Sequence, residues 1–153
     1  MSVSRLLSRI RWQRLAVLPV LGALVGVLAS CDQPTPLVTM QAGRSFVQAQ
    51  AASYDRDGTV VKGASDQIPA LHAAPGEIIN IDVPKSVADR GYFLTSVDAQ
   101  SNEVQISDTI KDQHYHLTTP GRAGELPLTI FQVPRSDSGP ASGSWKFRLV
   151  VQP

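Results

Sequence analysis

His114 and His116 are the residues whose spacing most clearly allows chemistry. They flank Tyr115 in a segment that alternates polar and apolar residues, and residues two apart on a β-strand lie on one face, about 6–7 Å apart. Two imidazoles at that spacing could serve one metal ion, but a zinc or copper centre needs a third donor and His72 is the only other histidine. Two interpretations stay open: a metal-binding pair, or two solvent-facing rings beside an inward-packed Tyr115. We assign no metal site.

Acidic residues offer a second kind of chemistry, because a general acid and base pair needs two carboxyl groups about 5–9 Å apart in a cleft. Glu77, Glu103 and Glu125 each adjoin a predicted turn or loop. The loop Asp55–Gly58 begins like a calcium loop but lacks the downstream bidentate acid. Neither Gly-x-Ser-x-Gly nor Ser-x-x-Lys occurs in the chain. We therefore predict a protein that is not an enzyme, with no catalytic residue and no cofactor.

Cys31, the only cysteine, stands where an apolar run ends. The segment Met1–Arg14 carries four arginines and no acid, and Leu15–Leu28 is apolar and uncharged. A helix over that apolar segment would span about 21 Å, less than the ~30 Å hydrocarbon core of a membrane. This layout is typical of a cleaved export signal, and it predicts that everything after Cys31 crosses the membrane.

The residues Leu28-Ala29-Ser30-Cys31 resemble the lipobox of bacterial lipoproteins, at which a cysteine thiol is joined to diacylglycerol and the chain is cut before it. Two acyl chains give a stable anchor, at ~0.8 kcal/mol per buried CH₂. The resemblance implies lipidation of Cys31 and a cell-membrane location on the extracytoplasmic face. Asp32 resembles a signal for inner-membrane retention in double-membrane bacteria. The tether Asp32–Pro36 is proline-rich and would extend about 15 Å.

From Leu37 onward the sequence alternates with a period of two, which is typical of half-buried strands. In Ser144–Val151, for example, the residues Trp145 and Phe147 share one face. The predicted strands are Leu37–Met40, Ser45–Gln50, Ile78–Val83, Tyr92–Val97, Val104–Ile110, His114–Thr118, Pro127–Val133 and Ser144–Val151. A single helical turn is predicted over Pro84–Gly91. We expect an all-β, immunoglobulin-like antiparallel sandwich of about seven or eight strands, preceded by a cleaved signal helix.

The predicted domain organisation is a signal peptide over 1–30, a lipidated N-terminus with a short tether over 31–36, and a β-sandwich over 37–153. Aromatic residues within the predicted strands, including Phe93 and Phe131, are expected in the core. Tyr54, beside charged loop residues, is the better candidate for a surface contact, but core packing is favoured for it too.

The body also carries a family resemblance, in the segments Ile68–Leu71, Ala74–Pro84, Leu128–Val133 and Gly143–Val151 with the terminal Gln152-Pro153. These segments are similar to those of a family of actinobacterial lipoproteins built on a domain of unknown function. The resemblance implies a small envelope lipoprotein of β architecture, and it supplies no catalytic residue.

Charge limits the partners. Without the four arginines of the first 30 residues, 10 basic side chains face 13 acidic ones, a net charge of −3. Nucleic-acid binding depends on a concentrated basic face, so no nucleic-acid partner is predicted. We favour a membrane-tethered binding or accessory module for an envelope protein or polymer. The alternatives are a carrier or sensor of a small ligand or metal using His114 and His116, and, least favoured, an envelope hydrolase built from loop acids.

Overall fold

A computed structural model describes residues 34–63, 67–136 and 139–153. The predicted signal peptide and Cys31 lie outside the described residues. Residues Thr35–Pro153 form one compact unit.

Eleven strands and one short helix form within the described residues. In chain order they are β1 (Leu37–Ala42), β2 (Ser45–Gln50), β3 (Ser53–Arg56), β4 (Thr59–Lys62), β5 (Ala70–Ala73), β6 (Ile78–Asp82), α1 (Lys85–Ala88), β7 (Tyr92–Val97), β8 (Glu103–Gln105), β9 (His114–Thr118), β10 (Gly124–Gln132) and β11 (Gly143–Val151).

The strands belong to two sheets in a sandwich-like arrangement. Sheet A has the antiparallel order β2-β1-β6-β9, and sheet B has the order β4-β3-β11-β10-β7-β8. Strand β5 joins sheet B by running parallel to the second half of β11, whereas β3 pairs with the start of β11. The predicted all-β sandwich is therefore confirmed.

Period-two alternation decides which side chains form the core. In β1, Val38, Met40 and Ala42 are buried, and the residues between them are partly exposed. In β11, Trp145 and Phe147 are buried while Lys146 is exposed. Burying a large apolar side chain contributes about 1.5–3 kcal/mol, so these two inward-facing sets supply much of the driving force for packing the sheets.

Eight of the strands correspond to the eight predicted segments, and three of them, Ser45–Gln50, Tyr92–Val97 and His114–Thr118, have the predicted bounds. Strands β3, β4 and β5 were not predicted. Strand β3 has a polar composition, and β5 is only four residues long and depends on its pairing with β11. Strands β3 and β5 pair with β11, which is distant in sequence, and β4 pairs only with β3, so local alternation is a poor guide to all three.

Strand β8 is shorter than the predicted Val104–Ile110. The backbone amide of Leu94 in β7 donates to the Ser107 side-chain oxygen at 2.9 Å, which interrupts the backbone ladder. Ile110 pairs with Tyr92 only through an isolated bridge.

The predicted helical turn is confirmed as α1, which follows Pro84. The chain leaves the turn at Gly91, whose φ of +97° favours glycine. Gln132 of β10 is fully buried beneath the turn, and its side-chain amide donates to the Ser86 carbonyl at 3.0 Å. This hydrogen bond joins α1 to sheet B by satisfying a carbonyl that the short helix cannot pair itself.

Candidate functional site

The outer surface of sheet A carries two complete rows of side chains across its four strands. Strand register places one residue from each strand in each row, and alternation turns all of them away from the core. We call this surface the polar face. Its first row is Gln48, Thr39, Asp82 and His114, and its second row is Phe46, Gln41, Asn80 and His116. With strands about 4.8 Å apart, each row is roughly 14 Å long.

Hydrogen bonds between neighbouring strands orient several members of the polar face. Nδ1 of His114 contacts Oδ1 of Asp82, and Nδ1 of His116 contacts Oδ1 of Asn80 at 2.7 Å. At the opposite edge of the same face, Nε2 of Gln48 in β2 donates to Oγ1 of Thr39 in β1 at 3.2 Å. Cross-strand pairs of this kind contribute roughly 0.2–1 kcal/mol each and hold the side chains in defined positions.

The two histidines have the arrangement that strand alternation predicts. Both rings are exposed on the outer side of β9, and Tyr115 between them packs partly into the core. His72 lies in β5 of the other sheet. Among the described residues, no three histidine, cysteine or acidic side chains come together as a metal-binding group.

A polar groove of about 460 Å³ adjoins the first row at His114. The end of α1 and the segment 111–113 before β9 form its walls. Its lining residues are Lys85, Ala88, Asp89, Lys111, Asp112, Gln113 and His114. Lys85 pairs with Asp89 across one helical turn, at 2.6 Å. The groove therefore combines both charge signs and does not favour an ion of one sign.

Tyr92, in the core, forms a hydrogen bond to the segment 111–113 that lines this groove. Its side chain is fully buried, and its hydroxyl donates to the Asp112 carbonyl at 3.0 Å. Burial, followed by the nearby negative charge of Asp112, raises the pKa of Tyr92 to about 12. The phenol stays protonated at neutral pH and keeps this hydrogen bond.

The three glutamates considered for general acid and base chemistry each make a separate contact. Glu77 accepts a hydrogen bond from the Ala74 amide at 2.7 Å, Glu103 accepts one from the Thr95 hydroxyl at 2.6 Å, and Glu125 pairs with Arg148 at 3.2 Å. In the described structure none of these contacts joins two of the glutamates. We therefore derive no acid and base pair from them.

The segment Asp55–Gly58 was expected as a loop, but it forms a turn only at Asp57 and Gly58, and Asp55 and Arg56 belong to β3. The Asp55 carboxylate accepts a hydrogen bond from the Gly58 amide at 2.7 Å and forms an ion pair with Arg135 at 2.9 Å. These contacts attach the β10–β11 connection to the β3–β4 hairpin. The acids therefore have a structural role in the fold.

For the aromatic residues, the favoured core packing of Tyr54 is confirmed over the surface contact, and the prediction that Phe93 and Phe131 lie in the core is wrong. Tyr54 lies in β3 and packs against Trp145, with ring centroids 6.2 Å apart, so it borders the core. Phe93 and Phe131 form a stacked pair with centroids 5.7 Å apart, and both are only partly buried. Their neighbours Leu94 and Ile130 are the buried ones, so strand alternation turns this pair to the outer side of sheet B.

The sequence interpretation recognised two of the eight members of the polar face and overlooked the rest. Thr39, Gln41, Asn80 and Asp82 alternate with buried residues in β1 and β6, and that alternation was the available signal. Knowing that they meet in rows requires the strand register, which the sequence alone did not provide.

No protein-family model, curated protein or solved structure matches this chain. In the part of the chain that the structure describes, no helix has both the length and the apolar character needed to cross a membrane. Function is therefore inferred from the residues and their geometry.

Proposed function

We propose that this protein is a lipid-anchored binding module of the cell envelope, which holds a hydroxyl-rich polymer on its polar face. The anchor is a diacylglyceryl group on Cys31, and the domain sits on the extracytoplasmic side of the cell membrane. The basic head, apolar run and small residues before Cys31 support this anchoring. The likeness to actinobacterial envelope lipoproteins is part of the same proposal.

The observation that carries the binding role is the pair of complete rows on sheet A. Amide side chains such as Gln41 and Asn80 both donate and accept hydrogen bonds, Thr39 does the same, and Asp82 accepts them. A chain of hydroxyl groups offers the complementary donors and acceptors. Phe46 adds an apolar contact surface, since its side chain is 65% exposed.

Charge favours a polymer without strong charge. The polar face carries one acid, Asp82, which already contacts His114, and it carries neither lysine nor arginine. A strongly anionic partner would require basic residues for its recognition. The extended rows, roughly 14 Å long, fit several successive hydrogen-bonding groups of a chain.

The anchor is tested by Cys31→Ser in cells fed a labelled fatty acid. We expect acyl labelling of the natural chain and none of the variant, because the serine hydroxyl does not replace the thiol in this modification. A variant that keeps full labelling would refute lipidation at Cys31.

The binding role is tested by sedimenting the full-length protein, in detergent, with insoluble wall polymer from the same envelope. The double variant Gln41→Ala with Asn80→Ala removes two hydrogen-bonding side chains and should weaken binding roughly tenfold. Lys146→Ala, exposed on the outer side of sheet B, is the matched control and should bind as the natural chain does.

Equal binding by the double variant and the natural chain would refute the role of the polar face. Recovery of a protein partner in place of polymer, lost in the double variant, would refute the polymer while keeping the face as the binding surface.

A further inference from the structure

We propose that His114 and His116 form an exposed two-histidine chelate for a divalent transition metal ion, with Cu²⁺ bound more tightly than Zn²⁺. The two rings and their partners in β6 belong to the polar face, but the inference does not require polymer binding, because it depends only on these four residues.

The hydrogen-bond partners fix which ring nitrogen carries the proton. Oδ1 of Asn80 can only accept a hydrogen bond, so Nδ1 of His116 must donate to it. The carboxylate of Asp82 likewise accepts from Nδ1 of His114. In a neutral imidazole with hydrogen on Nδ1, the lone pair is on Nε2. Both rings are therefore set in the tautomer that binds a metal through Nε2.

The spacing and exposure allow both Nε2 atoms to reach one ion. Metal–nitrogen distances of about 2.0–2.1 Å at tetrahedral angles require the two nitrogens to be roughly 3.3 Å apart. Their strand positions are about 6–7 Å apart, so binding requires the two rings to tilt toward each other while each Nδ1–H still donates to its partner in β6. The His114 side chain is 76% exposed, and His116 is also exposed, so open solvent surrounds the rings.

The partners in β6 are of the type that supports metal-binding histidines. A ligating histidine usually donates its other N–H to a carboxylate or carbonyl oxygen, which orients the ring and raises its basicity as a ligand. Asp82 and Asn80 occupy these positions. With two protein donors, water completes the coordination shell, and the ion remains exchangeable.

Imidazole donors suit copper, zinc and nickel, and for a given site Cu²⁺ binds more tightly than Zn²⁺. The chelate therefore suits a surface that picks up and releases a borderline metal ion, and it does not suit a closed structural zinc site, which needs four protein donors.

The experiment titrates the full-length, detergent-solubilised protein, purified without a histidine tag, with Cu²⁺. Binding is followed by calorimetry, and coordination is followed by electron paramagnetic resonance. We expect one ion per chain with two nitrogen donors. His114→Ala and His116→Ala should each weaken binding at least tenfold and leave one imidazole donor in the spectrum. His72→Ala, on β5 of the other sheet, is the matched control and should leave both measurements unchanged.

A second measurement tests the tautomers without any metal. Nitrogen NMR of the histidine rings should find the proton on Nδ1 of His114 and His116. Asn80→Leu should remove that preference at His116 and weaken Cu²⁺ binding about tenfold, while thermal unfolding shows that the variant is folded.

Two results would overturn the proposal. One is Cu²⁺ binding that is unchanged when both histidines of β9 are replaced, which would place the ion elsewhere. The other is a proton on Nε2 of both rings, which would leave the exposed nitrogens unable to bind a metal in the neutral state.

Discussion

The buried phenol of Tyr92 predicts how stability changes at alkaline pH. In the folded protein its pKa is about 12, against an ordinary value of 10.0. Below pH 10 the phenol is protonated in both states, so its contribution is fully present. As the pH rises from 10 to 12, the unfolded chain loses the proton first, and the free energy of unfolding falls. The difference between the two pKa values corresponds to about 3 kcal/mol.

The assay is chemical denaturation at pH 9 and at pH 11.5, on the natural chain and on Tyr92→Phe. Lysines and other tyrosines titrate in both proteins, so the difference between their pH dependences isolates Tyr92. The variant should lose about 1 kcal/mol at pH 9, because the Asp112 carbonyl loses its donor, and should lose less further stability at pH 11.5. Identical pH dependence in both proteins, or a Tyr92 phenol that ionises near pH 10 in the folded state, would refute the reasoning.

Two further predictions concern close packing and a buried amide. Gly63→Ala should destabilise the protein by about 1–3 kcal/mol in chemical denaturation, because the new Cβ would lie 1.9 Å from the Ala51 carbonyl oxygen. Gly121→Ala is the control, since no atom lies within 4 Å of its Cβ position, and it should change the stability by less than about 0.5 kcal/mol. Gln132→Leu should destabilise by about 1–3 kcal/mol in chemical denaturation, because the Ser86 carbonyl loses the hydrogen bond from the buried Gln132 side chain. Unchanged stability and unchanged amide exchange in α1 would contradict this role.

Strand positions were predictable wherever one strand contains its own signal. In β9 and β11, polar and apolar residues alternate over five or more positions, and the predicted segments match the observed strands closely. A different local signal, the proline before the turn and the glycine after it, predicted α1. Period-two burial is a property of a strand and its nearest sheet face, so the sequence of that strand is enough to reveal it.

Tertiary contacts decided the other elements. Tyr54 follows two alanines and a serine and precedes charged residues, yet it lies in a strand because β3 pairs with both β4 and the start of β11. Phe93 and Phe131 are large and apolar, yet they lie on the outer side of the sheet. Each is next in its strand to a residue that points into the core, Leu94 or Ile130, and the two phenylalanines pair with each other. Residue type alone does not give the direction of a side chain in these cases.

The sequence by itself determined the alternation that makes this an all-β protein and that puts His114 and His116 on one side of one strand. Only the tertiary structure decided that Asp82 and Asn80 face them, and that Thr39 and Gln41 extend the same two rows across sheet A. The physical reason is that alternation is set by backbone geometry within one strand. Register is set by hydrogen bonds between strands that are far apart in the chain, and shifting it by one residue would place different side chains opposite each other.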